Sequence, residues 1–351
     1  MTTSFDARVL GATTSALELF GIYLGDRLGL YTALRDGGAL TPGELAARAG
    51  IHPRYAREWL EQQAVAGVLE VEGAGEGPEA RRYRLPEAHQ GVLVDPEHPA
   101  HLAPLARMVA GIARVLDDVV AAYRSGGGVP FARYGADVRH GQGGINRPAF
   151  VTGLVEEWVP ALGNVAERLA SGGRAADLGC GQGWASIALA RRFPAAQILG
   201  LDTDPASIED ARATAATYGA KVRFECADAA ALADHGPFDL VLLVEVLHDL
   251  ARPLEVLRAA RRALDPQGAV LVVDEKVAPT FTAPGDELER LMYGWSILHC
   301  LPTQMAEQPT AALGTVLRED TVRKLASEAG FGSVRTLDID GGFFRLYELR
   351  P

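Results

Sequence analysis

The rhythm of apolar and polar positions changes near the middle of this chain. Between residue 14 and about residue 35 the apolar positions recur at helical spacing, with Leu17, Phe20, Leu24, Leu28 and Leu30 on one side. Gly37 and Gly38 interrupt that pattern. Thr41, Pro42 and Glu44 then supply an N-cap, a proline at the first helical position and the glutamate of a capping box, and Gly50 ends that helix. A further helix runs from Pro53 to about Ala66 and carries Tyr55, Trp59, Leu60 and Val65. Residues 68–71 and 82–85 read as two short strands flanking a Gly/Glu-rich loop over residues 72–79. This order of elements is that of a winged helix-turn-helix. Residues 98–123 form one or two mostly apolar helices, broken at Ser125-Gly126-Gly127-Gly128, and another helix is expected around residues 146–158.

From Ala175 onward the pattern is that of a buried parallel sheet. Residues 175–178, 197–202, 222–228, 238–245 and 270–275 are short runs, largely apolar as strands covered on both faces require, and each carries an acid at or near its end. Residues 334–339 and 343–349 complete seven strands. The first run, with Asp177, leads into glycines at 179, 181 and 183 and a helix opening at Trp184. Glycine at a strand-to-helix turn permits positive φ and close approach of a ligand to the backbone. The spacing is not that of the dinucleotide fingerprint, which needs its third glycine three positions after the second. A carboxylate at Asp202 can accept both hydroxyls of a ribose, and one at Asp228 suits an adenine amino group.

On these residues the stretch from about 150 to 351 resembles the class I S-adenosylmethionine-dependent methyltransferases. Asp-Leu-Gly-Cys-Gly-Gln-Gly, residues 177–183, is similar to that family's first motif, and Asp202, Asp228 and the strand ending at Glu245 correspond to the next three. The resemblance implies an α/β fold, a seven-stranded Rossmann-like sheet behind an N-terminal winged-helix dimerisation module. It also implies S-adenosylmethionine as cofactor and S-adenosylhomocysteine as product. Asp177, Gly179, Gly181, Gly183, Asp202, Asp228, Ala229 and Glu245 would then form the cofactor site. The expected domains are a winged-helix module at residues 1–97, a helical linker contributing to the substrate pocket at 98–150, and the methyltransferase domain at 151–351.

Charge bears on the winged helix. The second helix of the motif sets Arg54 and Arg57 against Glu58 and Glu61, and the wing sets Arg81, Arg82 and Arg84 against Glu72, Glu76 and Glu79. A DNA reader shows a basic face, and a chain of net charge −11 without one is not expected to bind nucleic acid. The arrangement resembles the small-molecule O-methyltransferases of plants and actinobacterial secondary metabolism, in which the N-terminal module serves homodimerisation and closes the back of the pocket. Three cysteines, Cys180, Cys226 and Cys300, have no metal spacing, and neither a membrane span nor a signal pattern is seen, so a cytoplasmic protein is expected.

The resemblance also directs attention to the ends of the fourth and fifth strands. There His248 stands as candidate base, with Glu275 orienting it; the plant pattern departs at Leu250-Ala251-Arg252-Pro253. Residues 287–302 read as one long helix. Tyr293, Trp295, Ser296 and His299 on it, with Tyr134 and Phe150, are candidate pocket residues or ordinary core. His248, His299, Asp274 and Glu275 lack tight ligand spacing, and no metal is expected. The reaction read from the sequence is methyl transfer to a small molecule, foremost to a hydroxyl. The alternatives are N- or C-methylation, a non-methylating cofactor-binding member, or a cofactor-responsive transcriptional regulator.

Overall fold

Seven strands form the sheet that the apolar runs predict. The computed structural model describes residues 4–72 and 77–351. Two short strands, β1 (Glu70–Glu72) and β2 (Arg82–Arg84), pair antiparallel as the wing. The large sheet comprises β3 (Arg174–Leu178), β4 (Gln197–Asp202), β5 (Val222–Cys226), β6 (Phe238–Val244), β7 (Leu264–Glu275), β8 (Ser333–Thr336) and β9 (Phe344–Arg350). Its order is β5-β4-β3-β6-β7-β9-β8. All neighbours are parallel except β9, which runs antiparallel between β7 and β8. Strand order reverses at β3, with β4 on one side and β6 on the other, so the crevice for a ligand opens at the carboxyl ends of these strands.

Period-two alternation sorts the strand residues onto two cores. Leu240, Leu242, Val244, Leu271 and Val273 pack with Leu154, Trp158 and Leu189 on one face. Val241, Leu243, Val270 and Val272 pack with Leu257, Val322 and Tyr347 on the other. Both faces are covered, which is why the strands are continuously apolar.

Contacts divide the chain into two compact units. One holds Met1–Ala110 and His140–Pro148, and the other Gly111–Arg139 and Ala149–Pro351. In the first unit the helix over Pro42–Ala49 has the expected capping box, with Glu44 N donating to Thr41 Oγ1 at 3.3 Å and Thr41 N to Glu44 Oε2 at 2.8 Å. The next helix, Pro53–Val65, buries Trp59 and Leu60 against Leu45 and Tyr83. Its charges are locally neutralised: Arg54 pairs with Glu58, Arg57 with Glu79 at 2.8 Å, and Arg81 with Glu61 at 3.3 Å. Arg82 and Arg84 pair with Glu44 and Glu70. Glu76 of the expected wing loop lies outside the described residues.

Two helices differ from expectation. The first begins at Phe5 rather than near residue 14 and stops at Arg27, because Gly29 turns the chain at φ 65° into a second helix, Leu30–Gly37. Leu30 is buried, whereas Leu17 and Leu24 face solvent at 65% and 48% exposure. The helix expected over 146–158 starts earlier, after a kink at Gly135 (φ 73°), and becomes π-helical over Phe150–Trp158. Among the described residues no helix is long and apolar enough to cross a membrane.

Candidate active site

The glycine turn after β3 is shaped by what surrounds it. Gly179 has φ 65°, and a Cβ there would lie 2.6 Å from Val246, the second residue after β6. This contact puts the end of β6 against the turn. Gly181 has φ 51° and nothing within 4 Å of its missing Cβ, so its exposed face is open to a ligand. Asp202, at the end of β4, braces the turn by accepting from Gly181 N at 2.8 Å and from Asp204 N at 2.8 Å. Each of its carboxylate oxygens retains a lone pair for a ribose hydroxyl. Burial raises the Asp202 pKa, and the backbone donors partly offset that shift.

Asp228 caps the short turn after β5, accepting from Ala230 N at 2.8 Å, and pairs with Arg252 at 2.7 Å. Ala229 beside it is buried. Glu245 follows β6 with φ 53°, a left-handed conformation costly for a residue with a Cβ, and its N–H donates to Val273 O at 2.8 Å. These residues gather at one end of the sheet, around an open backbone cradle that fits an adenosyl group with an amino-acid tail.

Asp177 is buried, with its Oδ2 accepting from Ser186 N at 3.2 Å and from Ser186 Oγ at 2.7 Å. Burial raises its pKa to about 6, against the pull of the Ser186 donors. It ties the glycine turn to the helix Trp184–Arg192.

His248 sits in the 3₁₀ turn Leu247–Asp249, and is 2% exposed. Its Nδ1 is 2.9 Å from Asp274 Oδ1 and 3.6 Å from Glu275 Oε2, and its Nε2 is 3.4 Å from Asp249 Oδ1. The carboxylate hydrogen-bonded to the imidazole is therefore Asp274, with Glu275, the residue expected to orient it, at 3.6 Å. Burial alone pulls the imidazole pKa down; Asp274, Asp249 and Glu275 outweigh that and raise it well above its usual value. Asp274 is raised by burial but lowered further by His248, giving a net decrease. Glu275 is raised well above the usual range, first by burial and then by Asp274, against the pull of His248.

The helical stretch expected over 287–302 is continuous in path but changes pitch, from α over Glu287–Trp295 to π over Ser296–Cys300 and back to α over Leu301–Met305. It buries Ser296, His299, Cys300 and Gln304. Ser296 Oγ accepts from Thr315 N at 3.2 Å. Gln304 donates to the His248 carbonyl and accepts from Gly314 N at 3.2 Å, so it holds the histidine turn to the segment that follows. Gln304 and Thr315 were absent from the expected set; the four-residue spacing of Ser296, Cys300 and Gln304 is the signal that points to one of them.

The candidate pocket residues separate. His299 packs edge-on against Tyr134 at 4.4 Å, and the Tyr134 hydroxyl donates to Leu298 O at 2.9 Å. Burial lowers the His299 pKa. Trp295 packs against the cluster of Val115 and Val138, and Phe150 lies in the core with Leu154 and Trp158. Tyr293 faces Phe281 at 6.4 Å. Two donor sets, His248 with Asp249 and Cys300 and His248 with Asp274 and Glu275, bring their ligand atoms within 4.8 Å of one another. The hydrogen bond to Asp274 already accounts for the orientation of the imidazole they share.

Residues 169–330 match the family described as a methyltransferase domain, and residues 15–94 match the Rv2258c-like winged HTH domain. A trans-aconitate 2-methyltransferase of Methylobacterium nodulans is 39% identical over 104 residues, 30% of this chain and 39% of that protein. A ubiquinone biosynthesis O-methyltransferase of Idiomarina loihiensis is 35% identical over 28% of this chain and 41% of its own length, so the chain spans about two fifths of the curated relatives it matches. Among solved structures, an O-methyltransferase-like protein of Nostoc punctiforme aligns with a TM-score of 0.70 at 19% identity, covering 99% of this chain and 100% of that one. Human N-acetylserotonin methyltransferase, solved with S-adenosylmethionine, aligns at 0.66 with 20% identity over 99% and 98%. Residues 169–330 are thus similar to a methyltransferase domain and residues 15–94 to an Rv2258c-like winged helix-turn-helix, and the chain shares the fold of these solved methyltransferases.

Proposed function

We propose that this protein methylates a hydroxyl group of a small molecule, with S-adenosylmethionine held at the glycine turn and His248 as the base. The observation that carries the reading is the bonded His248–Asp274 pair beside that turn. When bound, S-adenosylmethionine supplies a methyl group on a positively charged sulfur. Gly181 offers open backbone to its methionine part, Asp202 takes the ribose and Asp228 with Ala229 the adenine. Asp274 accepts from His248 Nδ1 and fixes the tautomer, which leaves Nε2 to take the proton of the acceptor hydroxyl. A hydroxyl suits this surrounding better than a carboxylate, because Asp249, Asp274 and Glu275 already crowd the histidine with acidic groups. The expected result is transfer of label from methyl-labelled S-adenosylmethionine to members of a phenol and alcohol panel. Label found only on amines or carbon acids would replace the hydroxyl reading.

The same proposal includes a homodimer. Leu10, Leu17 and Leu24 repeat at seven-residue spacing along the helix Phe5–Arg27, and all three are exposed. A second copy of the same stripe covers it in the manner of a coiled-coil seam. The paired arginines of the winged helix support an assembly role over DNA reading. Light scattering is expected to give twice the chain mass for the wild type and a monomer for Leu17→Glu with Leu24→Glu; a wild-type monomer refutes it.

A further inference from the structure

The amino ends of the parallel strands carry a cleft of their own, at the opposite end of the sheet from the glycine turn. Arg174, Gln197, Val222 and Phe238, the first residues of β3, β4, β5 and β6, line it. Lys221, Arg223 and His235 stand beside them, around a volume of about 450 Å³. Small-molecule sites usually enclose about 300–1,000 Å³. At about 3.3 Å of rise per residue, β3 and β4 set roughly 15–20 Å between this cleft and the crevice at their carboxyl ends. All of its residues belong to one compact unit.

Three cationic side chains line the cleft, and no carboxylate among the described residues does. Arg174 is held without an acid. Its Nη1 donates to Pro237 O at 3.1 Å and its Nη2 to His235 O at 2.7 Å, while the guanidinium lies 4.6 Å over the centre of the Phe238 ring. Two carbonyls and a ring thus fix its plane and leave three of its five N–H donors for a ligand, which has little left to order. Lys221 is exposed and has no hydrogen bond or ion pair among the described residues. Arg223 pairs with Glu225 at 2.5 Å, and Glu225 Oε2 lies 3.8 Å from His235 Nε2. Asp239 accepts from the Arg174 backbone N–H at 2.7 Å, and Arg168 balances its charge. Arg174 and Lys221 therefore leave an excess of positive charge here, in a chain of formal net charge −11. Cations on the edge strand β5 also discourage pairing with another sheet. That role needs no cleft, and it does not involve Arg174, which stands two strands in.

We infer that this cleft is a second ligand site, one that takes a small phosphorylated molecule. Arginine offers phosphate oxygens a planar pair of donors and lysine a mobile point charge, and a multiply charged anion gains from both at once. Half-buried Ala196 and Val222 give the cleft an apolar side against which the remainder of an organic phosphate can lie.

Calorimetric titration of the intact protein with uridine diphosphate and with inorganic pyrophosphate tests this. One equivalent is expected to bind, more weakly as salt is raised. Tighter binding of uridine diphosphate identifies an organic phosphate as the ligand, and tighter binding of pyrophosphate an inorganic one. Lys221→Gln combined with Arg223→Gln, both exposed, is expected to raise the Kd about tenfold, and Arg174→Gln at least as much. Lys324→Gln, exposed on the helix Glu319–Glu328, keeps the wild-type Kd. Melting curves show whether Arg174→Gln has kept its fold; where it has not, the surface pair decides. Absence of binding by both probes overturns the site, as does a Kd unchanged in every folded variant. Displacement of the probe by S-adenosylhomocysteine would put it in the cofactor cradle and overturn the site as well. Failure of the wild type to bind S-adenosylhomocysteine removes the methyltransferase reading and leaves this site standing.

Discussion

His248→Asn is expected to lower the methyl-transfer rate by about 10²- to 10⁴-fold, the usual contribution of a positioned base, while S-adenosylhomocysteine binds as in the wild type. Asparagine keeps an N–H that can donate to Asp274 but has no atom that takes a proton at neutral pH. It is a better probe than alanine, which strands Asp274 as an unpaired buried charge at a cost of about 3–5 kcal/mol. Asp274→Asn is expected to fall nearly as far, because its hydrogen bond sets the tautomer; Glu275→Gln falls less, since Glu275 stands at 3.6 Å. Equal losses of rate and of S-adenosylhomocysteine affinity in His248→Asn, measured side by side, rule out the base assignment.

The same pair fixes two pH dependences of opposite sign. Surrounding carboxylates raise the His248 pKa well above its usual value despite burial, so the neutral, proton-accepting form is favoured only above neutrality. The rate per unit of acceptor, kcat/KM, is therefore expected to rise with pH through the raised pKa. Stability runs the other way. A histidine pKa higher in the folded than in the unfolded chain contributes fully below the unfolded value of about 6.5 and is lost as pH rises through the folded one. Asp274, held low by its partner despite burial, contributes above the unfolded carboxylate range and is lost as pH falls through its lowered value. The enzyme works best where this ion pair stabilises it least.

The sheet was legible because its signals are local. A buried parallel strand must be apolar on both faces, so the runs at 197–202 and 238–244 announce themselves, and a glycine turn after β3 needs no distant information. The capping box at Thr41 is local in the same way. The surroundings of His248 are not. Asp274 and Glu275 are neighbours at the end of β7 that both approach His248 Nδ1, at 2.9 and 3.6 Å, and the placing of the 3₁₀ turn after β6 decides which one the imidazole bonds. Gln304 reaches the His248 carbonyl across 56 residues of sequence. Apolar spacing is blind in another respect: Leu17 and Leu30 lie in one apparent stripe, yet Gly29 breaks the helix between them, and one ends exposed and the other buried. Phe150 looked equally fit for pocket or core because an aromatic ring suits both.

Asp202→Ala is expected to weaken cofactor binding by roughly 10²- to 10⁴-fold, whereas Asp177→Asn leaves it within about threefold of the wild type. Two acids of the same motif region thus divide. Asp202 offers an ionised acceptor to two ribose hydroxyls, and hydrogen bonds to a charged group are worth about 1.5–3 kcal/mol each. Removing both costs roughly 10²- to 10⁴-fold in Kd at 1.4 kcal/mol per decade. The same substitution frees Gly181 N and Asp204 N, both anchored to that carboxylate at 2.8 Å, so the cradle loosens as well. Asp177 does its work inside the fold, where an asparagine oxygen accepts from Ser186 N and Oγ just as a carboxylate does. Its buried charge is a burden, since a folded pKa raised to about 6 means that stability falls as pH climbs from the unfolded value of about 3.9 toward 6. Asparagine removes that pH-dependent loss, and Asp177→Asn is expected to melt no lower than the wild type at neutral pH. A large loss of binding in folded Asp177→Asn would put its carboxylate in contact with the ligand after all, and the glycine turn would then have to open away from Ser186 when the cofactor enters.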